Sequence, residues 1–217
     1  MSDERPMSLR FTIALVLSVI CLAASAWADY QAGEEAYHRG DYATALREWR
    51  PLAELGIATA QFNLGLLYAN GQGVPQDYVQ ARHWYEKAAI QGDALAQLNL
   101  GVIYGNGKGV PEDYQLALYW FRLSANQGNA MALTKLGLMY ERGNGVTQDF
   151  VLAHKWYILG AANGDKLGAE LRDALAKRMT PAQIFQAQQR AREWKSKGSG
   201  SRKANVRPTP RTREHVH

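Results

Sequence analysis

Apolar positions between residues 58 and 165 recur with helical spacing, and the whole pattern repeats every 36 residues. The consecutive blocks that share it are residues 58–93, 94–129 and 130–165. In the first block, the apolar residues on one helical face are Ala60, Leu64, Leu67 and Tyr68. This spacing predicts a first helix near Thr59–Asn70, with counterparts in the other two blocks.

A loop rich in glycine follows this helix and separates it from a second one. Gly71 is expected to stop the first helix, and Pro75 prevents its continuation. Asp77 suits the N-cap of the second helix, and Gly92 supplies a left-handed stop at its end. Gly65 inside the first helix predicts a close approach of the second helix, since no side chain stands in the way. Each block is therefore expected to form a helix hairpin, and such hairpins must stack to bury their apolar faces.

The segments that flank the three blocks keep helical character but lose part of the pattern. A weaker copy lies in residues 29–57 and is expected to form a partial N-terminal repeat. Residues 166–194 are expected to form a C-terminal helical cap. Within that cap, Lys166–Met179 is predicted to be one helix, and Thr180 is predicted to open another through a capping box with Gln183.

The repeated residues follow the pattern A-x-x-x-x-x-LG-x-x-Y-x-x-G-x-GV-x-x-D-x-x-x-A-x-x-W-x-x-x-A-x-x-x-G. This pattern resembles the Sel-one-like repeat, a relative of the tetratricopeptide repeat. The resemblance implies an all-α fold, a right-handed α-α superhelical solenoid of helix hairpins that binds other proteins or peptides as an adaptor. It implies no single reaction. Some exported members resemble cysteine-rich β-lactamase-type proteins, whereas this chain has only Cys21.

The first helices of such repeats line the concave face of the solenoid. By analogy with tetratricopeptide-type grooves, the candidate partner-binding residues are Thr59, Phe62, Leu66, Leu95, Leu98, Val102, Met131, Thr134 and Leu138. Phe62, Leu98 and Thr134 share one repeat position, which varies as a ligand-facing position would. The alternative is that these side chains pack against neighbouring repeats. If the face binds a partner, polar replacement of Phe62 and Leu98 should abolish capture and leave helicity intact.

The N-terminal segment predicts export. Phe11–Ala24 is an apolar run of 14 residues, preceded by Arg5 and Arg10. These features are typical of a signal peptide over residues 1–28, cleaved after Ala28. The run is shorter than the ~20 residues of a spanning helix, and an uncleaved anchor is the alternative. An exported protein is expected, periplasmic in a Gram-negative bacterium and secreted otherwise.

The charge is concentrated at the C-terminus. The chain has 47% hydrophobic residues and a net charge of +5, which excludes wholesale disorder and a multi-span membrane protein. Residues 195–217 hold seven basic residues and one acidic residue. This segment has almost no apolar residues, and it is expected to be a disordered tail. A contact with anionic envelope components through the tail is an alternative function, and no specific nucleic-acid partner is expected.

No motif in the chain predicts catalytic, cofactor-binding or metal-ligating residues. Gly107-Lys108 departs from the phosphate-loop template, and no H-E-x-x-H, S-x-x-K or G-x-S-x-G motif occurs. Asp77, Asp113 and Asp149 recur at one repeat position, which favours helix capping over catalysis. The expected function is a protein-interaction module and not an enzyme. The alternative from another class is an envelope hydrolase of the β-lactamase-like or cell-wall type.

Overall fold

A computed structural model describes residues 27–194, which form helices and no strand. The helices are α1 (27–38), α2 (Tyr42–Glu54), α3 (Ala58–Asn70), α4 (Tyr78–Ile90), α5 (Ala94–Gly105), α6 (Tyr114–Asn126), α7 (Ala130–Arg142), α8 (Phe150–Ala162), α9 (Lys166–Ala176) and α10 (Pro181–Glu193). Among these described helices, none is long and apolar enough to cross a membrane. Nearly all of the predicted signal peptide and the whole basic tail lie outside the described residues.

Consecutive helices pack as stacked hairpins. We call α3, α5 and α7 the A helices and α4, α6 and α8 the B helices. Each A helix packs against the B helix of its own repeat, and each B helix packs against the A helix that follows. α9 continues the series in the position of an A helix, because it contacts both α7 and α8. The predicted all-α, right-handed superhelical solenoid of hairpin repeats is confirmed.

The aspartates before the B helices are N-caps, as the sequence predicts. The Asp77 carboxylate accepts hydrogen bonds from the backbone amides of Val79 and Gln80, at 2.8 and 3.0 Å. Asp113 and Asp149 accept the equivalent bonds at the starts of α6 and α8. Each bond satisfies an amide that has no partner inside its helix. The repeated carboxylate therefore has a structural role.

The glycines inside the A helices allow the two helices of a hairpin to touch. A Cβ atom on Gly65 would lie 2.6 Å from the ring of Tyr85 in α4. Gly101 and Gly137 face the rings of Phe121 and Tyr157 in the same way, even more closely. The predicted close approach is confirmed, and it lets a large aromatic side chain of each B helix fill the hairpin interior.

The C-terminal cap departs from the regular stack. α9 ends at Ala176, three residues before the predicted Met179, because the chain there leaves the helix through two tight turns. The capping box at Thr180 forms as predicted. α10 then folds back onto α8, where the Trp194 ring meets the Trp156 ring edge-on at 5.6 Å. The cap thus covers part of α8: Leu159 is buried there, whereas its counterparts Leu123 and Lys87 are half-buried and exposed.

Candidate functional site

Each A helix has one strip of residues that lies largely outside the core, and Asn63 is its one buried member among the described residues. The strip repeats at intervals of 4, 3 and 4 residues, which places its members on one side of a helix. We call the combined surface the A face, and its residues are Thr59, Asn63, Leu66, Asn70, Leu95, Asn99, Val102, Asn106, Met131, Lys135, Leu138 and Arg142. None of them is acidic. The A face therefore presents an apolar row between two polar or basic rows.

Six of the nine candidate residues from the sequence lie on the A face. They are Thr59, Leu66, Leu95, Val102, Met131 and Leu138. Met131 is the most accessible of them, at 46% exposure, and the other five are half-buried. Their contact with a partner stays a prediction.

The other three candidates lie in the core. Phe62, Leu98 and Thr134 are buried. The Phe62 ring packs against the Tyr85 ring at 5.8 Å, and the Thr134 hydroxyl donates to the Ala130 carbonyl at 3.3 Å. These side chains pack between helices, which is the alternative that the sequence left open. The expectation that polar replacement of Phe62 and Leu98 would leave helicity intact is incompatible with this burial.

The polar rows of the A face were not selected from the sequence. Asn63 and Asn99 share one repeat position, as do Asn70 and Asn106, so the asparagines recur every 36 residues. This recurrence is the sequence pattern from which the polar rows could have been identified. The Asn63 amide donates to the Tyr30 hydroxyl of α1 at 3.2 Å, so the first of these rows is anchored at its N-terminal end.

A pocket opens on the A face where α5, α6 and α7 meet. Its walls are Gly101, Val102, Gly105, Asn106, Tyr114, Ala117, Phe121, Lys135, Leu138, Met139, Arg142 and Asn144. The pocket has a volume of about 90 Å³, well below the roughly 300–1,000 Å³ of small-molecule sites. It combines an apolar floor with two cations, Lys135 and Arg142, and two side-chain amides.

The electrostatics of the pocket are set by these two cations. Within residues 27–194, neither Lys135 nor Arg142 forms an ion pair. Glu112 lies beside the Tyr114 hydroxyl at the pocket edge, and the hydrogen bond between them, followed by desolvation and the negative charge of Glu112, raises the pKa of Tyr114. Arg142 acts on the same hydroxyl in the opposite direction. The positive charge of the pocket is therefore only partly balanced by the chain itself.

His154 and Tyr157 are buried ionisable groups elsewhere in the stack. His154 of α8 is buried against α9, and burial lowers its pKa, with a further contribution from Arg172. Burial is also the main cause that raises the pKa of Tyr157, followed by its hydrogen bond to Glu141. In the part of the chain that the structure describes, no group of three or more histidine, cysteine or acidic side chains is arranged to hold a metal ion.

Comparisons with known proteins identify the repeat. The family model of the Sel1 repeat matches residues 58–93, 94–129 and 130–165. A solved Sel1 repeat protein from Oxalobacter formigenes is 31% identical, with a TM-score of 0.65, over 76% of this chain and 73% of that chain. The antigen c5321 of uropathogenic Escherichia coli, which displays an SLR fold, is 32% identical over 76% of this chain and 44% of that chain, with a TM-score of 0.46. No curated protein matches the chain.

Proteins built from this repeat are in general scaffolds for protein–protein interaction without an enzymatic activity. The three matched repeats are stacked as the hairpins described above, and the solved relative shares the fold over most of both chains. The chain belongs to the Sel1 repeat family.

Proposed function

We propose that this chain is an exported, non-enzymatic scaffold that binds a peptide or protein segment along its A face. The observation that carries the proposal is the apolar row formed by Leu66, Val102 and Leu138, one from each A helix at the same repeat position. Polar rows flank it on both sides. A segment with alternating apolar and polar side chains matches such a surface.

This row fits a short segment. The A helices pack on the B helices between them, so the row offers one apolar side chain per repeat to a bound segment. Asn70, Asn99 and Asn106 beside the row can hydrogen-bond the peptide backbone, whereas Asn63 is buried and bonded to Tyr30.

A matched pair of double variants tests the role of the A face. Leu66→Gln with Leu138→Gln changes the apolar row. Val79→Gln with Ile90→Gln changes two exposed apolar residues of α4, on a B helix. Each protein is used as bait in an envelope extract, and bound proteins are identified by mass spectrometry.

The A-face variant is expected to lose at least tenfold of a captured partner, while the control variant retains it. Circular dichroism verifies that both keep the helical content of the parent chain. Equal capture by the parent chain and the A-face variant would refute the proposed surface. A partner that is lost in high salt or on ending the chain at Trp194 would instead assign the binding to the basic segment that follows.

Export is tested separately from binding. Residues 1–28 are fused to alkaline phosphatase, which is active only outside the cytoplasm. The expected result is phosphatase activity and a mature chain that begins at Asp29. An active fusion that keeps its full mass would indicate a retained anchor, and an inactive fusion would overturn export.

A further inference from the structure

Two successive junctions of the stack differ in how the positive charge of an arginine is balanced. The pocket described above lies at the junction of α5, α6 and α7. The next junction, formed by α7, α8 and α9, uses the residues 36 positions later. The helix order is the same at both junctions, but α9 ends at Ala176, so that Arg178 follows it in a turn, whereas α7 runs to Arg142.

At the later junction, the chain supplies its own carboxylate. Arg178 donates to the Glu141 carboxylate at 2.8 Å, and the Tyr157 hydroxyl donates to the same group at 2.6 Å. The Arg178 guanidinium also lies over the Phe150 ring, 4.8 Å from its centre. This junction is thus closed by an internal acid that pairs with the arginine.

At the pocket junction, the arginine is kept and the acid is missing. By the 36-residue spacing, Arg142 corresponds to Arg178 and Gly105 to Glu141, although Arg142 ends α7 and Arg178 lies in the turn after α9. Phe121 and Tyr114 stand where Tyr157 and Phe150 stand one repeat later. With no side chain at position 105, nothing on α5 reaches Arg142 as Glu141 reaches Arg178.

The remaining residues of the pocket strengthen its positive charge. Lys135 lines the pocket, whereas the counterparts of Lys135 in the other repeats are Asn63, Asn99 and, in α9, Leu171. The junction before the pocket has Ala69 and Asn106 in place of an acid and an arginine. Glu112, at the pocket edge, hydrogen-bonds the Tyr114 hydroxyl, and within the described residues it forms no ion pair with either cation. Two cations that no acid pairs with are therefore a property of this junction and not of the repeat pattern.

We propose that this pocket binds a carboxylate side chain of an acidic peptide segment, at the place that the Glu141 carboxylate has one repeat later. The proposal rests on the proposed function and adds the chemistry of the partner. Arg142 and Lys135 donate charge-assisted hydrogen bonds to the carboxylate. Val102 and Leu138 contact the alkyl part of the acidic side chain or an apolar neighbour in the segment. The volume of about 90 Å³ suits one side chain.

The basic tail of the chain itself is a poor occupant. Residues 195–217 hold seven basic residues and one acidic residue. Like charges repel, so the two pocket cations disfavour this segment. A partner that is rich in aspartate and glutamate has the complementary charge.

Selection from a random peptide library tests the proposal without a known partner. Phage displaying random 12-residue peptides are selected on the full chain, on Lys135→Gln with Arg142→Gln, and on a control. The control, Lys87→Gln with Arg192→Gln, removes the same charge from two exposed side chains outside the pocket.

The parent chain and the control are expected to enrich peptides with aspartate or glutamate beside an apolar residue, and the pocket variant is expected to lose this bias. Peptides enriched without an acidic bias would overturn the carboxylate site and leave the proposed function standing. Failure to enrich any peptide would overturn both. Binding of a selected peptide should weaken about tenfold or more when its acid is changed to the amide.

A second pair of variants tests the position of the carboxylate. Gly105→Glu places an acid where the third repeat has Glu141, and Gly105→Ala places there the residue of the first repeat, Ala69. The glutamate variant is expected to fold and to lose at least tenfold of its affinity for the selected peptide, because its own carboxylate occupies Arg142. The alanine variant should bind like the parent chain. Unchanged affinity in a folded glutamate variant would overturn the proposed position.

Discussion

The junction between the second and third repeats and the junction between the third repeat and the cap differ in whether an acid of the chain pairs with their arginine. Glu141 closes the later junction with a 2.8 Å ion pair to Arg178, whereas Gly105 leaves a pocket beside Arg142 at the earlier one. The two hairpins keep one buried contact in common, since Gly101 and Gly137 each receive an aromatic ring. The difference shows that stacked repeats can keep the packing inside the hairpin while the charges at their surface change.

The largest loss of stability is expected at the buried repeat position of Phe62, Leu98 and Thr134. Leu98 is 5% exposed and packs in the core around α5, α6 and α7, whereas Met131 is 46% exposed. Leu98→Ala should lower the free energy of unfolding by about 2–5 kcal/mol. Met131→Ala should change it by less than about 0.5 kcal/mol. Urea unfolding followed by circular dichroism measures both, and equal stabilities would mean that the row at 62, 98 and 134 is not a core row.

A smaller difference in stability is expected between substitutions at two glycines of α5. A Cβ atom on Gly101 would overlap the Phe121 ring, whereas one on Gly105 would lie 3.4 Å from the Ala117 Cβ, an ordinary contact. Gly101→Ala should destabilise the chain by about 1–3 kcal/mol through overpacking. Gly105→Ala should be neutral or stabilising by a few tenths of a kcal/mol, as alanine favours the helix. Thermal unfolding of the two variants gives the comparison, and similar losses in both would show that Gly105 also serves packing.

The ion pair that closes the later junction should contribute less. The Glu141 and Arg178 side chains are 20% and 55% exposed, so solvent screens their interaction. A double-mutant cycle with Glu141→Gln and Arg178→Gln should give a coupling of about 0.2–1 kcal/mol. The coupling should fall in high salt. A coupling of zero would mean that Glu141 and Arg178 touch without attracting each other. The proposed carboxylate site, which is inferred from this pair, would then lose its basis.

The smallest effect is expected in the pH dependence of stability, at the junction of α7, α8 and α9. His154 of α8 faces Arg172 and Asp173 of α9, while the counterpart of His154 in the second repeat is Leu118. Burial, and then Arg172, lower the pKa of His154 in the folded chain. The unfolded chain then takes up the proton first, near pH 6.5, so the stability from this group is present above that pH and is lost as the pH falls. His154→Leu should reduce the loss between pH 7.5 and 5.5 in urea unfolding, and an unchanged slope would show that other groups cause it.

Local features of the fold were predictable because their causes are local. The N-cap role of Asp77 follows from a short acceptor placed just before a helix, and Gly65 implies a close neighbour wherever that neighbour comes from. The end of α9 was placed too late, at Met179 and not at Ala176, because no glycine marks its stop. The two turns that end it carry no such sequence signal.

The candidate site was only partly predictable. Val102 and Leu138 were selected by analogy with tetratricopeptide-type grooves, and both line the pocket. Phe62 and Leu98 were selected because their position varies between repeats, but the same variation is compatible with a core position whose neighbours also vary. Lys135 and Arg142 were missed, because neither of their repeat positions was among the three positions taken from the tetratricopeptide analogy.

The sequence by itself determined the repeat, its length of 36 residues, the helix hairpins and the family, because these depend on patterns that recur along the chain. Only the tertiary structure decided which side chains meet across a junction. Arg178 lies 37 residues after Glu141 and still binds it, since the superhelix brings the end of α9 beside the end of α7. The same stacking places Arg142 beside Gly105, which has no side chain to pair with the guanidinium. Tertiary structure therefore decides that Arg142 has no acidic partner on α5.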